Sequence, residues 1–369
     1  MFGLGKRMVF LVALLVAAAF IVTGCGGGEV APVGDEDAEK MKVGFVYIGS
    51  PGDAGWTYAH DQGRKYLEEN LPYVITETVE NVSDADAERV LTQLAERGNR
   101  VIFATSFGFM DPVINVAAKY PDVIFLHCSG YKTADNATNY FGRIYQPRYL
   151  SGIVAGMTTE SNLIGYVAAY PIPEVIRGIN AFTLGVRAVN PEAKVRVVWT
   201  HTWYDPAKEK EAAKVLLDAG ADVIAQHQDT PGPQQAAQER GVFSIGYNSD
   251  MSAMAPEAVL TSVVWNWGPY YVRAVEAVKN GTWDNTPYWG SMADGIVDLA
   301  PFGPMVSEEI KAKVAKEKER ILSGDWDVFH GPIYAQDGEL KVAAGEALTD
   351  AEMLEMSWFV QGVEGSIPN

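Results

Sequence analysis

Five aromatic residues stand where short apolar runs of this chain give way to loops: Trp56, Phe107, Tyr170, Trp203 and Trp265. Loops are normally hydrophilic, and large aromatic side chains belong within strands and helices. Close to them lie groups that hydrogen-bond in a plane: Asp53, Gln228, Asp229, Asn248 and Asp250. Aromatic faces stack on flat rings, and a few amides and carboxylates can read a ring's edge. The set suits a heteroaromatic solute such as a nucleobase or nucleoside. Capping of the core is the alternative reading for any one of the aromatics. The stretch from Gly49 to Thr57 holds Gly49, Pro51, Gly52 and Gly55, which permits a tight turn and close approach of backbone to a ligand at Gly52 and Asp53.

Other chemistries find less support. The first loop lacks the lysine and serine or threonine of a Walker loop and the spaced glycines of a dinucleotide fingerprint, so no cofactor is expected. His60, His127, His201, His227 and His330 show no close pairing, so no metal site is assigned, and His227 is read as a hydrogen-bonding group. Asp53 and Asp250 could be imagined as a catalytic carboxylate pair. There is, however, no G-x-S-x-G elbow and no thiol nucleophile in a loop. No catalytic residue is assigned, and the chain is read as a binder rather than an enzyme.

An internal repeat supplies the elements that position these loops. Lys42-Val43-Gly44-Phe45-Val46 matches Leu163-Ile164-Gly165-Tyr166-Val167, with the glycines 121 residues apart. Each run leads into a loop, a helix and a second strand, at 73–78 and 195–200. Ser83 and Asp205 are helix N-caps in equivalent places, and Pro206 fits the first helical position. Gly98 and Gly220 end those helices, and third strands follow at 100–103 and 222–225. Fourth strands lie at 123–127 and 242–246. Strand–helix alternation repeated twice predicts an α/β chain of two doubly wound parallel-sheet lobes, with ligands at the carboxyl ends of the strands.

The N-terminus reads as a targeting segment. Lys6 and Arg7 precede an apolar run over 8–22, too short for a comfortable span and right for a signal peptide. Val22-Thr23-Gly24-Cys25 resembles a bacterial lipobox, which makes 1–24 a signal peptide, Cys25 the lipid-modified residue and 25–41 a flexible tether. The 369-residue chain carries a formal charge of −18, which disfavours nucleic acid and anionic lipid as partners. With Cys25 lipidated, Cys128 has no disulfide partner and is a small buried residue.

Several ordered motifs resemble the basic membrane protein (BMP) family of substrate-binding lipoproteins, which serve ABC importers of purine nucleosides and related compounds. They are Gly52-Asp53-Ala54-Gly55-Trp56-Thr57, Ala117-Ala118-Lys119-Tyr120-Pro121-Asp122, Asp205-Pro206-Ala207-Lys208, Gly220-Ala221-Asp222-Val223-Ile224 and Gly246-Tyr247-Asn248-Ser249-Asp250. The resemblance implies a type I periplasmic-binding fold joined by a hinge. The N-terminal lobe would comprise 42–146 with about 266–305, and the C-terminal lobe 147–265 with about 306–335. Residues 336–369 would form an extension packed on both. It further implies base stacking by Trp56 and Phe107, and a ribose-holding role for Asp250 in nucleoside binders. Those members carry a lysine where this chain has Trp265, followed by Asn266 and Trp267. The expectation is therefore a free, adenine-like purine, its edge read by Gln228, Asp229, Asn248 and Asp250, with a purine nucleoside as the alternative. A monomer is expected, held by lipid at the outer face of the cytoplasmic membrane or in the periplasm, and docking on an ABC permease. A sensor that presents its closed form to a signalling receptor is the reading from a different class.

Overall fold

The computed structural model describes residues 40–368. In chain order, the first eight elements are β1 (Met41–Tyr47), α1 (Trp56–Asn70), β2 (Val74–Val79), α2 (Ala87–Glu96), β3 (Val101–Thr105), α3 (Met110–Ala117), β4 (Ile124–His127) and β5 (Ala137–Gly142). The next nine are α4 (Tyr145–Thr158), β6 (Leu163–Ala168), α5 (Pro173–Val189), β7 (Lys194–Trp199), α6 (Pro206–Asp218), β8 (Val223–His227), α7 (Gly232–Glu239), β9 (Phe243–Asn248) and β10 (Val259–Trp265). After α8 (Gly268–Lys279) come β11 (Tyr288–Gly290), β12 (Val297–Leu299) and α9 (Glu308–Leu322), then β13 (Ile333–Tyr334), β14 (Leu340–Val342), α10 (Asp350–Leu354) and β15 (Val363–Glu364).

The strands form two sheets, ordered β11-β5-β4-β3-β1-β2 and β12-β10-β9-β8-β6-β7-β15, plus a small hairpin of β13 and β14. Pairing within the two large sheets is parallel except between β10 and β12. This is the expected doubly wound α/β architecture in two lobes. The repeat is visible in register. Gly44 lies opposite Glu77 and Ile102, and Gly165 opposite Arg196 and Ile224. A Cβ on Gly44 would stand 3.2 Å from Leu94 of α2, and one on Gly165 only 2.8 Å from Leu216 of α6. The matched glycines thus let the equivalent helices seat tightly on their sheets.

Helix ends follow local chemistry. Asp205 accepts from the Lys208 amide at 3.1 Å and caps α6, with Pro206 in its first turn. Gly98 and Gly220 end α2 and α6 with φ of +84° and +98°, which an L side chain resists. Ser83 differs from expectation. It makes a turn with Asp86, and α2 starts only at Ala87.

Three chain passages join the lobes: from β5 to α4, from β10 to α8, and from β11 to β12. They are tied together by the Arg143 amide on the Gly290 carbonyl (2.6 Å) and the Asn266 amide on the Ile296 carbonyl (2.8 Å). The segment expected to return to the first lobe, 266–305, divides: β11 joins the first sheet and β12 the second. The tail from 336 onward also contributes β15, which pairs with β7 at the outer edge of the second sheet.

In the second lobe, α4 and α5 pack backbone against backbone. Gly152 and Gly156 on α4 and Gly185 on α5 lie where any Cβ would collide with a main-chain carbonyl of the facing helix. A methyl at Gly185 would strike the Tyr149 carbonyl, so the helices would have to separate. Gly185→Ala is accordingly expected to lower stability by about 1–3 kcal/mol, measured by urea unfolding. An unchanged midpoint would mean that the helices are not packed in this way.

Candidate functional site

Where the carboxyl ends of the two sheets face each other, a space of about 350 Å³ is lined by both lobes. Ile48, Trp56, Ser106, Phe107 and Ser129 come from the first lobe, and Glu174, Trp203, His227, Asp229, Tyr247 and Asn248 from the second. Five follow closely on a parallel strand, and His227, Tyr247 and Asn248 lie at the ends of β8 and β9. Ile48 follows β1, Ser106 and Phe107 follow β3, Ser129 follows β4, and Asp229 follows β8. Glu174 sits in the first turn of α5.

Trp56 opens α1, and Asp53 fixes that opening. Its carboxylate accepts from the amides of Gly55 (2.8 Å), Thr57 (2.8 Å) and Tyr58 (2.9 Å). The indole N–H of Trp56 donates to the Thr105 carbonyl at 2.8 Å, and its ring stands edge-on to His60, Trp265 and Trp267. Trp265 and Trp267 stack at 4.5 Å, and Trp267 stacks on His60 at 4.7 Å. The Trp56 plane is therefore held by three other rings.

A hydrogen-bonded chain sets the polar side. Trp265 donates its indole N–H to Asn248 Oδ1 at 2.9 Å, and an indole can only donate. The Asn248 amide is thereby oriented, and its Nδ2 donates to Asp229 Oδ1 at 3.1 Å and to the Gln228 carbonyl at 3.3 Å. Among the described residues, Asp229 Oδ2 takes no such bond. Burial, and then the charges of Asp53 and Glu209, push the Asp229 carboxyl well above the usual range, so it can donate as an acid or accept as an anion. Glu209, buried on α6, accepts from the Thr230 amide at 3.0 Å and steadies this loop. Burial raises its own pKa to about 7.

Contacts between the lobes hold the space shut. Ser129 Oγ donates to Glu174 Oε2 at 2.5 Å, and Ser249 Oγ donates to the Ala54 carbonyl. Gly55 meets the backbone of Asp229 so closely that a Cβ would overlap its carbonyl oxygen. Glu174 Oε1 is 3.5 Å from His227 Nε2, and burial lowers the His227 pKa to about 4, so the imidazole is neutral. The sequence serine–carboxylate–imidazole places the acid between nucleophile and base. It cannot relay a proton from Ser129 to His227 as a hydrolase triad does, and it acts as a clasp.

Of the residues singled out in the sequence, Trp56, Phe107, Trp203, Asp229 and Asn248 line the space. The others do not. Gly52 is exposed, and Asp53 is a buried helix cap. Tyr170 stands behind Trp203, with ring centres 5.2 Å apart. Gln228 is buried against Thr200, and Trp265 lies behind Asn248 and Trp56. Asp250 is exposed and accepts from the Ser252 amide at 2.9 Å. The sequence reading passed over Ile48, Ser106, Ser129, Glu174, His227 and Tyr247 as site residues. The loop after β4 and the first helical turn after β6, taken as strand-end positions like the others, would have included Ser129 and Glu174. Cys25 lies outside the described residues.

The sequence model of the Bmp family, described as ABC transporter substrate-binding protein PnrA-like, matches residues 40–325. A purine-binding protein of Brucella abortus (strain 2308) is 48% identical over 333 residues, covering 89% of this chain and 95% of its own length. A Haloferax volcanii protein, provisionally named an ABC transporter glucose-binding protein, is 45% identical, covering 91% of this chain and 83% of its own length. Among solved structures, an ABC transporter solute-binding protein from Conexibacter woesei superposes with a TM-score of 0.64 at 25% identity, covering 78% of this chain and 98% of that one.

Gly55→Ala tests the closed contact. A methyl there opposes closure, so solute affinity is expected to fall at least about tenfold, some 1.4 kcal/mol, by calorimetric titration. Affinity equal to that of the unaltered chain would refute a closed state built on this approach.

Proposed function

This chain belongs to the Bmp family of ABC transporter substrate-binding proteins, and on that premise we propose that it captures a free purine base, adenine-like, between its lobes. The family is one of binders rather than enzymes, works outside the cytoplasm, and delivers its solute to a membrane permease. No helix among the described residues is long and apolar enough to cross a membrane. In the proposed complex Trp56 and Phe107 sandwich the ring. Asp229 and Asn248 read its edge, with Glu174, Ser106 and Ser129 within the same space.

The observation that carries the free base over the nucleoside is the position of Asp250. It is the residue to which family resemblance gives a ribose, yet it is exposed and turned to its own backbone. The lysine of nucleoside binders is replaced by Trp265, which occupies its place with an indole locked to Asn248. Purines present donors and acceptors on one edge, and Asp229 can act as either partner.

Two readings compete on specific grounds. A nucleoside would suit the wider family, and a sugar would suit the Haloferax relative's provisional name. Titration of the folded chain with adenine, guanine, adenosine, guanosine and glucose separates them. Adenine or guanine is expected to bind at least about tenfold tighter than its nucleoside, and Trp56→Ala to lose about 1–3 kcal/mol of that affinity. Tighter nucleoside or glucose binding would overturn the proposal. Ligand contact with both lobes favours the closed form, so the protein acts as a hinged clamp, a mode known for periplasmic binding proteins generally.

Anchoring through lipid on Cys25 belongs to the same proposal. Cys25→Ser is expected to move the protein from the membrane fraction to the soluble fraction on cell fractionation. Retention of the variant in the membrane would exclude that anchor.

A further inference from the structure

Beneath the solute space, inside the second lobe, lies a group of polar atoms that the solute reading does not use. Arg148, in the first turn of α4, is fully buried, and among the described residues its Nε, Nη1 and Nη2 have no hydrogen-bond partner. Its guanidinium lies 3.6 Å over the Tyr247 ring and 5.6 Å from that of Tyr166. Tyr166 Oη and His227 Nδ1 are likewise buried without a partner among the described residues. These atoms converge on Gly178 of α5. The point its Cβ would occupy is 3.4 Å from His227 Nδ1, 3.7 Å from Tyr166 Oη and 3.8 Å from Arg148 Nε.

We propose that Arg148, Tyr166 and His227 form an internal site for a small monovalent anion of chloride size, seated over Gly178 beneath the solute cavity. An unpaired buried charge is costly, and the faces of Tyr247 and Tyr166 compensate a guanidinium only in part. Among the described residues Arg148 makes no ion pair. Arg177, the next buried cation along α5, spends its Nη1 on the Met353 carbonyl and adds positive charge nearby. Glu174 is the facing carboxylate, and it is engaged by Ser129 and His227. Arg148 and Tyr166 can donate, and so can His227 when its proton is on Nδ1, while its Nε2 faces Glu174 Oε1 at 3.5 Å and Tyr247 Oη at 3.3 Å. A water molecule would satisfy the donors but leave the charge uncompensated. Because His227 and Tyr247 also line the solute space, the anion would set the polarity of the cavity floor.

The test uses the folded chain at constant ionic strength, with sodium chloride or bromide replacing sodium gluconate. A saturable rise in Tm of about 2 °C or more is expected with the halides and not with gluconate. Gly178→Ala places a methyl at the convergence point in ordinary contact, so it is expected to fold and to lose the halide response. Equal Tm in halide and gluconate, or a halide response that survives Gly178→Ala, would overturn the site. Should that variant fail to fold, crystals of the unaltered protein grown in bromide decide. An anomalous peak within about 4 Å of Arg148 Nε is expected, and density there without anomalous signal rejects the anion.

Discussion

Gly55 and the main chain of Asp229 approach so closely that no side chain fits between them. The closeness brings the carboxyl ends of two sheets within reach of one small molecule. It also converts two open rims into one space walled on both sides. Ser129 with Glu174 and Ser249 with Ala54 reinforce the contact, but each is a side-chain bond that water could replace. The glycine contact is steric and has no substitute. The cavity is therefore a property of the closed arrangement rather than of either lobe.

Behind the cavity wall, two kinds of order support one another. Rings hold rings, as Trp265, Trp267 and His60 fix the plane of Trp56. Hydrogen bonds then hold the acids, as the same Trp265 orients Asn248 and through it Asp229. One indole thus couples the stacking side of the site to its polar side. Two of the three passages between the lobes lie beside it, since Trp265 ends β10 and a Cβ on Gly142 would meet its ring. The passages between the lobes and the orientation of Asn248 and Asp229 share a residue.

Much of this was readable from the amino acids. The matched glycines Gly44 and Gly165, and the helix-ending Gly98 and Gly220, are local necessities, so they marked both copies of the repeat. The strand-end rule located Trp56, Phe107, Trp203, Asp229 and Asn248 because a parallel strand delivers its next residues to the rim. It could not separate the residue facing the cavity from the one bracing it. Asp53, Tyr170, Gln228 and Trp265 share loops with lining residues yet point to backbone or to neighbouring rings. Asp250 failed for a similar reason, since one residue beyond Ser249 the chain has already turned outward. Glu174 was missed because it begins a helix, and Ser83 misled because a serine–aspartate turn precedes the helix it seemed to cap.

The strand β15 lies beyond the 40–325 stretch that matches the family. It pairs with β7 and is secured by Arg196, whose Nη2 is 2.7 Å from a Glu364 oxygen. Without it, β7 would present a row of unpaired amides and carbonyls to solvent. Proteins crowded side by side on a surface can join along such rows into continuous ribbons. A few residues of tail laid along that margin cover part of it, at Val195 and Arg196.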